Sequence, residues 1–417
     1  MNPPENLKEM PSNQALSKAG RSRVRIFAAG CIVASGLVLL VVVYAQRLTP
    51  DEVTERDYME YWAAGHQLVH HADPYDFAAA YQLEKQNGMQ TDEPRISFSP
   101  PVALEAELPL GWLGAKAGLI VWLMAELGCV LVSIWLLWRL CGRPDSRLQL
   151  LGLAFAPVVA CQMSGQIGAF FLLCLVLFLE FHRTRPFLAG VALMPFALKP
   201  HLVVPFAIAL VIWCLVSRSF AVIAGGTCAL AASCAASLAI DPHAWKQYSR
   251  MLASFPLVDW FVPTVGMALR FWIHPSARWL GYIPEAGACA WAAWYAWKHR
   301  GQWDWMKHGQ LVMAVSVACA PYSWISDQCV ILPAVLAVLW AAARSNRALL
   351  LFLLINGVML TELFMLPTMT SHWYIWSAAL VYLVGAGMAG VVLVCDAGEA
   401  DSSIGRRGQL TGWYTFL

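Results

Sequence analysis

The chain has 417 residues, 59% of them hydrophobic and only 13% charged, against roughly 25% charge in a soluble globular protein. That deficit excludes a soluble enzyme, and the apolar residues gather in runs too long for a water-soluble core, so the chain reads as an integral membrane protein. Charges nearly balance, 28 Lys and Arg against 26 Asp and Glu, so no basic surface points to nucleic acid.

Hydropathy and punctuation predict an all-α polytopic bundle of about twelve transmembrane helices, with roughly 20 apolar residues taken as a full span. The spans fall near 26–46, 117–138, 148–163, 166–182, 186–198, 201–216, 220–240, 279–297, 308–322, 328–343, 348–366 and 373–395. The first follows a basic leader (Lys18, Arg21, Arg23, Arg25) that resembles a signal sequence. Its length and the lack of an A-x-A site favour an uncleaved anchor. Residues 26–396 then form one membrane-embedded domain between polar cytoplasmic tails, 1–25 and 397–417. With the N-terminus inside, 18 basic residues fall on the cytoplasmic side and 10 outside, and the short-loop asymmetry fits a protein of the inner (plasma) membrane with both termini cytoplasmic. Most of the twelve cysteines, among them Cys31, Cys129, Cys174, Cys214, Cys228, Cys234 and Cys289, lie inside apolar runs and read as small buried hydrophobes, not disulfides or metal ligands.

Two extracytoplasmic segments are long enough for aqueous chemistry. Segment 47–116 carries 12 acids and 5 bases. Within it Tyr58, Tyr61, Trp62, Leu68 and Val69 recur at helical spacing, which predicts an amphipathic helix over 57–71 near the bilayer surface. Pro74 fits the start of a second short helix, with Asp73 as N-cap. Segment 241–278, up to the start of the next span, interleaves Trp245, Trp260, Trp272 and Trp279 with Lys246, Arg250, Arg270 and Arg278. That mixture suits the headgroup zone, where membrane lipids of anionic character dock.

The stretch DYMEYWAAGHQLVHHADPYDF (Asp57–Phe77) is the most informative. Asp57 and Glu60 share a helical face just outside the first span, where a carboxylate can take the proton of an attacking sugar hydroxyl; the bland alternative makes Asp57 a helix cap. His66, His70 and His71 lack a third ligand at a defining spacing, so they read as polar surface, and neither metal nor cofactor is expected. In FALKPHLVVP (Phe196–Pro205), Lys199 is the only basic residue in a short outer turn. It sits where a proline breaks the backbone ladder, and so either meets an anion such as a lipid phosphate, with His201 as a neighbouring donor, or snorkels to the interface. SGQIG (Ser164–Gly168) and APYSWISDQ (Ala320–Gln328) are polar in the same outward layer, so Gln166 and Asp327 can line a sugar site with Tyr322 and Trp324 as stacking surfaces; singly, each also suits a turn. No P-loop, nucleophile elbow or dinucleotide glycine motif has its required context. A polytopic secondary transporter of a small polar or lipid-linked solute is the alternative, but it calls for charge near the bilayer midplane, where only Glu126, Glu362 and Glu285 are found.

An acid after the first span, then YWAAG, DPYD, SFSPP (Ser97–Pro101), SGQIG, LKPH and PYSW, in this order, resembles glycosyltransferase family 87. These are GT-C-class membrane enzymes typified by polyprenol-phosphate-mannose-dependent alpha-mannosyltransferases. The resemblance covers roughly residues 50–340. It implies inverting transfer of a hexose from a polyprenyl-phosphate sugar to a glycolipid or glycan acceptor outside the membrane. By motif match, Asp57 would be the base, and Lys199 with His201 would face the donor phosphate; Arg270 is a further candidate for that phosphate, and Glu60, Tyr61, Asp73, Tyr75, Gln166, Trp324 and Asp327 are candidates for binding sugar or acceptor. One position departs: where a histidine is usual shortly after SW, this chain has Ile325, Ser326 and Asp327, and an acid cannot serve a phosphate as histidine would.

Overall fold

The computed structural model describes residues 53–54, 56–90, 92, 95, 97–254, 262–341 and 346–365. The predicted first and last spans, both tails and Trp260 lie outside them. Among the described residues the chain is all-helical. In chain order the helices are α1 (Tyr58–Val69), α2 (Phe77–Gln86), α3 (Leu104–Gly111), α4 (Ala115–Leu140), α5 (Ala156–Ser164), α6 (Gly168–Phe181), α7 (Pro186–Ala192) and α8 (Val204–Ser217). They continue as α9 (Phe220–Ile240), α10 (Ala244–Ser254), α11 (Val265–Ile273), α12 (Ile283–Lys298), α13 (Gln310–Cys319), α14 (Leu332–Ala341) and α15 (Asn346–Met365).

Two of these, α4 and α9, have the length and uniform apolarity to cross a bilayer on their own. Helix α4 also leaves Val121, Met124 and Trp135 more than half exposed, as contact with lipid allows. Most other predicted spans are shorter or broken. Helices α6 and α8 have 14 residues each, about 21 Å at 1.5 Å per residue against a hydrocarbon core of about 30 Å. The breaks have local causes. Gly165 ends α5 with φ 71°, the left-handed conformation glycine adopts without penalty. Pro195 and Pro200 turn the predicted 186–198 and 201–216 spans into α7, two 3₁₀ turns (Met194–Leu198 and Pro200–Leu202) and α8. The residue before a proline is pushed out of the helical region, and Lys199, with φ −135° and ψ 66°, sits in that break.

Two corrections concern the first outer segment. Helix α1 forms where periodicity placed it but is not a surface helix: nine of its twelve residues are buried and it packs against α2, α3 and α4. At the α1–α3 crossing, a methyl group on Gly65 would overlap the carbonyl oxygen of Glu107, and one on Gly111 would overlap that of Gly65, so the two backbones touch directly. The second helix starts later than expected, because Asp76 caps it: Asp76 Oδ1 accepts from Ala78 N (2.9 Å) and Ala79 N (3.2 Å). Asp73 instead accepts from Tyr75 N at 2.9 Å in a turn, since the carboxylate with extended backbone directly before the helical run is the one that reaches its free amides. Segment 241–278 folds largely into α10 and α11, with Trp272 and Trp279 strongly exposed.

Candidate active site

Asp57 stands immediately before α1 but makes no capping bond to it. Its carboxylate accepts from Arg95 Nη1 at 3.0 Å through Oδ1 and from Gln166 Nε2 at 2.9 Å through Oδ2. Gln166 follows the left-handed Gly165, and its backbone is held by Cys161: Gln166 N donates to Cys161 O, and Gln166 O accepts from Cys161 Sγ. Both glycines of SGQIG are packing requirements as well, since a methyl group on Gly165 would press on Tyr58 and one on Gly168 on the Ser326 carbonyl. The motif therefore ties α5 and α6 to the start of α1 and to the 320s turn.

The Gln166 side chain links the two halves of the site. Its Oε1 accepts from Tyr61 OH and from Lys199 Nζ, both at 3.1 Å. Lys199 also donates to Asp327 Oδ1 at 2.8 Å, and Asp327 Oδ2 accepts from Trp324 N at 2.8 Å. Asp327 thus caps the 3₁₀ turn Ile325–Ile331 and neutralises Lys199, which rules out simple snorkelling of the lysine. The ring of His201 meets Tyr322 edge-on at 5.8 Å, and its Nε2 is buried with no hydrogen-bond partner among the described residues. Four connections far apart in sequence converge on one layer, carrying Asp57, Gln166, Lys199 and Asp327.

Glu60 lies on the same face of α1. Burial, reinforced by Asp57, pushes its carboxyl up to about 8, while Lys199, Tyr61 and Arg95 oppose the shift; Glu107 of α3 also faces it. Asp57 and Glu60 are thereby distinguished: one is clasped by two N–H donors, the other favours its neutral form near pH 7. Between the ordinary carboxylate range and about 8, the folded chain keeps a proton here that the unfolded chain releases, so this group makes stability fall as pH rises through that window. Glu60→Gln is expected to reduce the loss of melting temperature between pH 5 and pH 9 without abolishing it, because buried Glu84, pushed up to about 7, titrates in the same window. An unchanged pH slope on thermal unfolding would overturn the assignment.

Of the remaining predicted residues, Trp324 stays beside Asp327, whereas Asp73, Tyr75 and Arg270 make contacts of their own. Asp73 holds its turn, and burial raises its carboxyl above the usual range. Tyr75 is buried, donates its hydroxyl to Ser99 O at 2.9 Å and faces Tyr248 at 5.4 Å. Arg270, buried in α11, gives its Nε–H to Pro275 O at 2.6 Å, beyond the end of its own helix. Trp324 stands edge-on to Tyr322.

Sequence reasoning misses three supports. Arg95 is one of only five bases in an acidic segment, and that isolation is its one signal. Glu84, wholly buried, receives Arg95 N on both carboxylate oxygens at 3.1 Å, so it fixes the backbone of the residue whose guanidinium meets Asp57. Beneath Asp57, Arg56 Nη1 donates to Gln162 O at 3.0 Å, and Gln162 Nε2 donates to the fully buried Glu126 at 2.7 Å. This brace joins α4 and α5 to the residue preceding the carboxylate.

A helical bundle with lipid-compatible faces and a carboxylate–cation network in one polar layer has the make-up of a membrane-embedded enzyme. Residues 99–367, nearly two thirds of the chain, match the profile of glycosyltransferase family 87. The chain belongs to that family and is a glycosyltransferase. Gln166, Lys199, His201, Arg270, Trp324 and Asp327 lie within the match, whereas Asp57, Glu60, Tyr61, Asp73, Tyr75 and Arg95 precede it. No curated protein and no solved structure gives a significant match to the chain.

Proposed function

We propose that the protein transfers a hexose, mannose by family resemblance, from a polyprenyl-phosphate sugar to a lipid-linked or cell-surface glycan acceptor, with inversion and on the extracytoplasmic side. In this reading the acceptor hydroxyl oxygen attacks the anomeric carbon as the bond to the phosphate oxygen breaks. The polyprenyl phosphate leaves with the bonding electrons, and Asp57 takes the hydroxyl proton. Lys199 keeps a third N–H for a phosphate oxygen, with His201 Nε2, which has no partner among the described residues, as a neighbouring donor, and Glu60, Tyr61, Tyr75 and Trp324 border the sugars. Arg270 would contribute a further phosphate contact and Asp73 a further hydroxyl contact. The topology that goes with this is about twelve GT-C-like crossings in the plasma membrane with both termini cytoplasmic.

The observation that carries the reading is the state of Asp57. It occupies a helix-cap position yet makes no cap, and it is aimed instead into a network with Gln166, Lys199 and Asp327. The test is incubation of the purified protein in nanodiscs with polyprenyl-phosphate mannose, polyprenyl-phosphate glucose and UDP-glucose, each with a glycolipid acceptor, followed by mass spectrometry of the products. Transfer from a polyprenyl-phosphate sugar is the expected result. Transfer from the nucleotide sugar alone would overturn it.

A further inference from the structure

The residues gathered so far meet the polar end of the donor, whereas most of a polyprenyl-phosphate sugar is hydrocarbon. Among the described residues there is an open groove of about 510 Å³ in which every lining side chain is apolar, a size within the roughly 300–1,000 Å³ usual for small-molecule sites. Ala197 and Pro200, on either side of Lys199, form its head, and it continues along one face of α8 through Val204, Ala207 and Val211 to Ile212. That face is about 12 Å long, close to half of a hydrocarbon core of about 30 Å. Val204 and Val211 are 37% and 48% exposed, so the flank of the groove is open to surrounding lipid.

We infer that this groove takes the isoprenoid chain of the donor, which enters sideways from the bilayer and leaves the site between the Pro200 break and α8. The inference rests on the lipid-phosphate reading above and adds to it the path of the lipid. Three consecutive residues couple the two ends: Lys199 and His201 are assigned to the phosphate, and Pro200 between them belongs to the groove. A phosphate on the Lys199 ammonium is therefore one lysine side chain away from the head of the groove. Apolarity by itself does not select the occupant, because bilayer tails are as apolar as the groove and a chain moving into it gains packing but little hydrophobic free energy. A chain tethered to a phosphate at Lys199 differs, since its second contact is intramolecular and benefits from a raised effective concentration. A lipid whose headgroup sits elsewhere lacks that advantage. Direction agrees as well. In the proposed topology α8 runs from the extracytoplasmic layer of Lys199 towards Arg218 at its other end, so the groove descends into the bilayer as a lipid tail does. A chain held there also limits how the phosphate can turn, which helps to present the anomeric carbon to Asp57.

The experiment uses the full-length protein in nanodiscs and compares binding of farnesyl phosphate, of farnesol, and of isopentenyl phosphate, a single isoprene unit with the same headgroup. Wild type is expected to prefer farnesyl phosphate to farnesol. Ala207→Trp fills the groove at an exposed position and should weaken farnesyl phosphate binding roughly five- to a hundredfold, the range expected when bulk is forced into a packed contact, with isopentenyl phosphate unchanged. Val121→Trp, which adds bulk to the exposed face of α4, should leave both unchanged. Equal affinity of wild type and Ala207→Trp for farnesyl phosphate would overturn the inference, giving the groove to bilayer lipid or to another part of the chain and leaving the lipid-phosphate reading intact. An equal loss of isopentenyl phosphate in Ala207→Trp would overturn it too, by showing that Ala207 supports the phosphate site itself. So would a comparable loss in Val121→Trp, which would make the effect one of added bulk anywhere on the lipid-facing surface. Failure of wild type to prefer the phosphate would overturn the reading and the inference together.

Discussion

Asp57→Asn is expected to lower the rate of sugar transfer by roughly a hundred- to ten-thousand-fold, the range over which a positioned general base contributes. The amide keeps the size of the carboxylate but cannot take a proton. It also introduces a geometric conflict. In the native protein both oxygens of Asp57 accept, one from Arg95 and one from Gln166, whereas an amide presents one donor, which must face a donor whichever way it is turned. If Gln166 flips to accommodate it, Tyr61 and Lys199 lose the oxygen they share. A stability loss of ~1–3 kcal/mol is therefore expected beside the kinetic one. Asp57→Glu, which restores an all-accepting group at a different reach, should regain most of the stability and part of the rate. Transfer assays paired with thermal unfolding separate the two effects, and undiminished transfer by Asp57→Asn would exclude this carboxylate as the base.

The second large effect is expected at the Lys199–Asp327 pair. Lys199→Ala leaves the fully buried Asp327 without its counter-charge, and breaking such a pair from one side costs about 3–5 kcal/mol. The double variant Lys199→Met with Asp327→Asn removes both charges while keeping an acceptor for Trp324 N. It should be markedly more stable than Lys199→Ala, and the cycle closed by the single variants Lys199→Met and Asp327→Asn should give a coupling energy of ~1–3 kcal/mol. Transfer activity should nevertheless remain lost in the double variant, since the N–H assigned to the donor is gone. Full activity in a stably folded double variant would reduce Lys199 to a structural role, and additive stability effects would remove the ion pair from the account of the fold.

Much of this site is legible in the sequence alone. Polar groups are scarce in the apolar part of this chain, so Gln166, Lys199 and Asp327, which fall in the breaks of apolar runs, stand out, while Asp57 is marked by its place at the head of an apolar stripe. What hydropathy cannot specify is pairing. Asp57 and Gln166 are 109 residues apart, and Lys199 and Asp327 128 apart, so their contacts depend on how the helices pack. The same limit explains α1. Its apolar stripe is visible, but the glycines that let α3 cover its other side have no hydrophobic signature. Asp73 and Asp76 are both reasonable caps by composition, and only the backbone path through Pro74 selects the second. Arg95 and Glu84 escape notice because an isolated arginine and a helical glutamate in a charged loop look like ordinary solvated surface.

Helix α4 has 26 residues, about 39 Å in length, which exceeds the hydrocarbon thickness of a typical bilayer by several ångströms. Such a helix must lean or project. Through Glu126, Gln162 and Arg56 it is also fastened from within to the residue that precedes Asp57. Under the proposed reaction, the depth of the Asp57 carboxylate relative to the lipid headgroups then follows the inclination of this helix, and the thickness of the host membrane becomes a variable of the transfer rate.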